Sequence, residues 1–139
     1  MVAGLALLAG GCTTMQKDAN LVTFSTQMTG MNEVPPVSTA ATGRVDAVLN
    51  RETRLFRWKA TWTGLSGGAT AAHFHGPAAV GANARVALGW QGALGTAHEG
   101  QATLTPEQMA DLMAGRWYAN VHTVAHPAGE IRGQMTVRN

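Results

Sequence analysis

Apolar and polar residues alternate with a period of two along much of this chain, the pattern of half-buried β-strands. Over residues 55–62, Phe56, Trp58, Ala60 and Trp62 fall on one side, and Leu55, Arg57, Lys59 and Thr61 on the other. That spacing predicts a strand with an aromatic core face. Residues 44–49 alternate the same way, with Val45, Ala47 and Leu49 inward and Arg44 and Asp46 outward. Val22, Phe24 and Met28 mark an earlier strand. Ile131, Gly133, Met135 and Val137 interleave with Arg132, Gln134, Thr136 and Arg138, which predicts one late strand. Weaker strands fit residues 69–75, 85–90, 100–104 and 116–123. Gly64, Gly67-Gly68, Gly76-Pro77 and residues 127–129 punctuate them.

One segment breaks the alternation. Thr105-Pro106-Glu107-Gln108 offers a capping threonine, a proline at the first helical position and a glutamine three residues after the cap. Leu104 is placed to staple onto Met109, Leu112 and Met113 give an apolar side, and Gly115 suits the position past the end. A helix over residues 106–114 should plug one end of the fold. Many short strands with turn signals between them predict an all-β, antiparallel β-sandwich of Greek-key or immunoglobulin-like type. There is no internal repeat and no second domain.

Composition narrows the picture. Charged residues are 13% of the chain and the net charge is +2 with neutral histidines. No basic run accompanies that small excess, so nucleic acid is not an expected partner. Residues 2–11 are uncharged, small and apolar, and too few to span a bilayer. They read as a signal peptide, residues 1–11. Leu8-Ala9-Gly10-Gly11-Cys12 resembles a bacterial lipoprotein processing site, which implies lipidation of Cys12. The expected product is exported, periplasmic or membrane-anchored, with residues 12–20 as a tether and 21–139 as the folded domain. Cys12 is the single cysteine, so the domain has no internal disulfide and any metal must take nitrogen, oxygen or thioether ligands. Met28, Met31, Met109, Met113 and Met135 sit on apolar faces and read as core rather than thioether ligands. Trp58 and Trp62 read as core, and Trp90 and Trp117 as core or rim. No nucleophile elbow, phosphate loop or dinucleotide fingerprint occurs.

The candidate chemistry lies in the histidines, of which the chain has five. His73 and His75 are two apart, so on a strand they share a face. In residues 117–123, Tyr118, Asn120 and His122 share a face too, and His122 is a third candidate ligand if the two strands are neighbours. His98, in Thr96-Ala97-His98-Glu99-Gly100, and His126, before Pro127, look like loop residues that could complete the shell. Imidazoles without a thiolate favour Cu(II) or Zn(II) over Ca(II) or Mg(II). Glu130 and Arg132, two apart, read as a surface ion pair, with Arg132 as an alternative anion attractor. Glu33, ahead of Pro35-Pro36, is a cap or a pairing partner.

Four motifs occur in order: Asn32-Glu33-Val34-Pro35-Pro36-Val37, Ala72-His73-Phe74-His75-Gly76-Pro77, Tyr118-Ala119-Asn120-Val121-His122-Thr123 and Gly129-Glu130-Ile131-Arg132-Gly133-Gln134. Together they resemble the CHRD domain, first described in chordin and common in bacterial exported proteins. The resemblance implies a secreted β-sandwich. At the level of the site, the histidines are similar to those of copper,zinc superoxide dismutases, which hold copper through a His-x-His pair, a third histidine from a following loop and a fourth from late in the chain. That similarity matches His73, His75, His98 and His122 to copper ligands and Arg132 to the group that draws in superoxide or another small anion. With the residue chemistry, the expected site is copper held by His73, His75, His122 and one of His98 or His126. A non-enzymatic copper or zinc carrier is the alternative, and an adhesion or interaction module of the envelope is a third. A homodimer is left open.

Overall fold

The computed structural model describes residues 18–138. The expected lipidation at Cys12, the expected signal peptide and most of the expected tether fall outside the described residues.

The alternating segments are strands. β1 (Leu21–Thr29), β2 (Thr42–Asn50) and β3 (Leu55–Thr63) form an antiparallel meander in continuous register, Phe24 opposite Ala47 and Ala47 opposite Trp58. β3 carries the predicted faces: Phe56, Trp58, Ala60 and Trp62 are buried, while Arg57, Lys59 and Thr61 are exposed. Then follow β4 (Ala69–His75), β5 (Val86–Gly89), β6 (Ala97–Thr103), β7 (Tyr118–Thr123), β8 (Ile131–Gln134) and β9 (Thr136–Arg138). The spatial order is β5-β4-β7-β8-β1-β2-β3-β6, with β9 also on β1. β8 returns from the end of the chain to lie beside β1, a Greek-key order of 8-1-2-3.

The sheet curls until its two halves face each other. β3 and β4 are far apart in strand order, yet Phe56 and Trp58 meet Phe74 at ring-centroid distances of 5.4 and 5.2 Å. Between the halves lies one apolar core that includes all four tryptophans, Trp58, Trp62, Trp90 and Trp117. Trp90 and Trp117 are therefore core, not rim. Met28 and Met135 are core as expected, but Met31 is 71% exposed in the 3-10 turn after β1.

The helix α1 (Pro106–Met113) has the predicted cap. Thr105 Oγ1 accepts from Gln108 N at 3.1 Å, and Gln108 Oε1 accepts from Thr105 N at 2.9 Å. Gly115, at φ +71°, ends it, with Gly115 N donating to Leu112 O and Arg116 N to Asp111 O. Leu112 is buried, and Gln108 Nε2 donates to Ala87 O, which docks the helix on β5.

Two expectations need correction. The late strand is interrupted at Met135, and Arg132 does not face solvent: it is 3% exposed, whereas Val137 is 44% exposed. β8 is covered on both sides, by the core and by loops, while β9 runs at the rim beside β1. Gly133 permits the close crossing, since a Cβ there would meet Gln27 O at 2.4 Å. Second, His98 is not in a loop. β6 begins at Ala97, and His98 lies opposite Ala60 within the β3–β6 ladder.

Candidate metal centre

Alternation along β4 sends Ala72 and Phe74 into the core and leaves His73 and His75 on the sheet's outer face. Antiparallel pairing with β7 sets His75 opposite Tyr118, His73 opposite Asn120 and Ala71 opposite His122. On β7, Ala119 and Val121 enter the core, so Tyr118, Asn120 and His122 share the outer face with the two histidines. The neighbouring strand that the sequence required for His122 is therefore β4 itself.

One nitrogen from each of His73, His75 and His122 lies within 4.8 Å of the others. His73 Nδ1 and His122 Nε2 are 3.1 Å apart. The other nitrogens are fixed from behind. His75 Nδ1 donates to Ala84 O at 2.9 Å, and His122 Nδ1 donates to Pro127 O at 2.9 Å. A carbonyl accepts only from N–H, so both rings carry the proton on Nδ1 and present a bare Nε2 lone pair. Among the described residues, His75 Nε2 is buried with no hydrogen-bond partner. Trp90 Nε1 is likewise without one, but an indole N–H can only donate and cannot ligate a cation.

Electrostatics keeps these rings neutral. Burial pushes all three imidazoles below their ordinary value; for His73 the neighbouring His122 adds to the shift. For His75 the Ala84 hydrogen bond opposes burial, and the charges of His73, His122 and Arg132 reinforce it. Neutral imidazole is the metal-binding form. The donor set is three nitrogens with no carboxylate or thiolate, which suits a late first-row ion such as Cu(II) or Zn(II) and not Ca(II) or Mg(II).

The structure does not bring His98 or His126 to this cluster. His98 is 6% exposed inside the core, stacked against Trp58 and Trp90. Its Nδ1 accepts from Trp58 Nε1 at 3.2 Å, and its Nε2 meets Gln91 O at 2.6 Å, so both nitrogens are occupied. His126 lies in the turn after β7, which its backbone closes against Thr123.

Glu130 and Arg132 are not a surface ion pair. Glu130 is fully buried and accepts from Thr39 Oγ1, Thr123 Oγ1 and Ser66 N. Burial alone would raise its carboxyl, but those hydrogen bonds hold it below the usual range. Arg132 donates to Asn83 Oδ1 at 2.8 Å and to Ala82 O, and its guanidinium carbon lies 3.5 Å from the Tyr118 ring centroid. Glu33 pairs with Asn120, whose Nδ2 donates to Glu33 Oε1. Burial pushes that carboxyl up to about 7, against the opposing pull of Arg132 and of Asn120.

The supporting partners were not legible in the sequence. Ala84 and Pro127 act through backbone carbonyls, which every residue carries. Tyr118 was placed on the correct face, but its stacking on His75, with ring planes 2° apart and centroids at 4.9 Å, depends on the strand register. The family model of the CHRD domain matches residues 24–135, a span that contains the whole cluster. No curated protein and no solved structure matches the chain.

Proposed function

We propose that this protein, which belongs to the CHRD domain family, is an exported copper-binding protein whose ion is held by His73, His75 and His122. One observation carries the proposal. Two of the three rings are locked by backbone carbonyls with Nε2 bare, and the buried Nε2 of His75 has no partner among the described residues. A histidine that serves only packing satisfies both nitrogens, as His98 does in the same molecule. Copper is preferred to zinc because Cu(II) binds nitrogen donors most tightly of the divalent first-row ions. Zinc is the alternative in the same site.

Holding the ion is better supported than dismuting superoxide. Arg132, which the dismutase similarity casts as the anion attractor, is 3% exposed, and its guanidinium is engaged by Asn83, Ala82 and Tyr118. Metal analysis of protein exported by its own leader should find one copper per chain, and titration should give a Cu(II) spectrum with several nitrogen ligands. His73→Ala and His122→Ala should each lose most of the affinity while staying folded, whereas His126→Ala should keep it. Unchanged affinity in His73→Ala and His122→Ala would remove the proposal, and a protein that takes up no metal would favour an interaction module. Stopped-flow reaction of the loaded protein with superoxide separates enzyme from carrier.

A further inference from the structure

Residues 79–83 are exposed, yet the last two of them and the half-buried Ala84 that follows are gripped one after another. Arg132 donates to Ala82 O and to Asn83 Oδ1. Ala84 N donates to Tyr118 Oη at 3.1 Å, and Tyr118 Oη lies 3.2 Å from Ala84 O. Ala84 O is the carbonyl that accepts from His75 Nδ1. Arg132 also lies over the Tyr118 ring on which His75 stacks. Two routes therefore lead from one buried guanidinium to one ligand: through the 82–84 backbone to the His75 proton, and through Tyr118 to the plane of its ring.

We infer that Arg132 is a positioning residue of the metal centre, which fixes the tautomer and orientation of His75 by clamping the 82–84 segment and Tyr118, rather than a group that meets an anion. The inference rests on the three-histidine site proposed above. It depends on the shape of the guanidinium. The planar fork reaches two acceptors and lies flat on an aromatic ring, and a lysine ammonium supplies the charge without that geometry. Outer partners that orient a ligating histidine typically contribute about 10–100-fold in metal affinity.

The sign of the effect separates positioning from charge. A fixed positive charge beside a cation site opposes binding, so if Arg132 acted only as a charge, Arg132→Met would bind Cu(II) more tightly and Arg132→Lys would behave like wild type. Positioning requires that both variants bind Cu(II) more weakly, by about 10–100-fold, and that lysine gives no rescue. Nitrogen-15 NMR of the metal-free protein supplies a readout that needs no metal. Wild type should show His75 protonated on Nδ1, and both variants should show a mixture of tautomers. Tyr118→Phe, which keeps the ring but releases Ala84, should shift tautomer and affinity the same way by a smaller factor, and serves if Arg132 variants do not fold. An unchanged His75 tautomer in the folded variants, or tighter copper binding by Arg132→Met, would overturn the inference. Wild type that binds no copper would instead overturn the metal site, and the tautomer would still decide the role of Arg132.

Discussion

Replacing His75 by Phe should leave the metal-free protein as stable as wild type or more stable, and should abolish its response to metal. Phe fills nearly the same space and keeps the stack on Tyr118, where the planes are 2° apart. Two terms then change. The hydrogen bond from Nδ1 to Ala84 O is lost, a cost of about 1 kcal/mol. That carbonyl keeps Tyr118 Oη at 3.2 Å, so it is not orphaned. Against this, the buried Nε2 without a partner disappears, which removes a penalty of about 1–3 kcal/mol. The balance runs from no change to about 2 kcal/mol of stabilisation. Metal acts in the opposite direction. Copper or zinc at a hundredfold excess over its dissociation constant should stabilise wild type by about 2.7 kcal/mol, and the variant by far less.

The assay is urea denaturation with chelator and with Zn(II), followed by the fluorescence of the four core tryptophans, with calorimetry for the Cu(II) arm because copper quenches fluorescence. The same substitution at His98 is the control. There it removes the acceptor of Trp58 Nε1 and the partner of Gln91 O, and should destabilise by about 1–3 kcal/mol. If His75→Phe destabilises the metal-free protein as much as His98→Phe does, and keeps the metal increment, His75 is an ordinary structural histidine.

Three further outcomes are expected. Because burial holds His73, His75 and His122 below their ordinary value, protons compete with the ion only in more acid solution. Zn(II) affinity should stay level as pH falls from about 8 through the usual imidazole value of about 6.5 and drop below it, whereas metal-free stability falls as pH drops through that value because the unfolded chain binds protons first; a loss of affinity centred above that value contradicts this. Glu33 has its carboxyl raised from 4.5 to about 7, so the stability it contributes is full below pH 4.5 and is lost as pH rises towards 7. Glu33→Gln keeps the Asn120 contact without the charge and should match wild type near pH 4 but exceed it by about 1–2 kcal/mol near pH 8, allowing for solvent screening; equal denaturation midpoints at both pH values would count against it. Mass spectrometry of the native protein should find a lipid-modified chain beginning at Cys12, and a soluble product with another N-terminus would remove the lipid anchor.

What could be read in advance was what the backbone period dictates. β3 was legible because its aromatic face alternates without interruption, and α1 because a capping box is a local device. His73, His75 and His122 were legible as a group because a two-residue spacing fixes a face before the fold is known. His98 was not. Its occupied nitrogens depend on Trp58, forty residues away, and on a backbone carbonyl at Gln91. Glu130 and Arg132 misled for a related reason. Two-residue spacing groups them as a pair, but Glu130 precedes β8 and bonds Thr123, whereas Arg132 lies over Tyr118, and both are buried under loops rather than facing water. The groups that satisfy them, Thr39 and Ser66 for one and Asn83 for the other, come from segments with no period to read.

β7 shows why this face reads as a site rather than as ordinary packing. All six of its residues are buried, but only one side is apolar. Its outer side carries Tyr118, Asn120 and His122, and it is flanked by Arg132, Glu33 and Glu130, which are also buried. Polar side chains on a covered face cost desolvation, and apolar residues of similar size would hold the loops down at least as well. A stabilising network would end with every buried group satisfied. Here the carboxylates, the amide and the guanidinium are each satisfied by neighbouring side chains and loops, while the imidazoles converge on one another and the Nε2 of His75 is left unpartnered. A neutral His73 with its proton on Nδ1 donates to His122 Nε2, which leaves the His75 Nε2 lone pair as the one unsatisfied group of the cluster. Burial disfavours a second proton on His75 by lowering its imidazole pKa, and a divalent ion that takes nitrogen ligands satisfies that lone pair together with those of the two neighbouring rings.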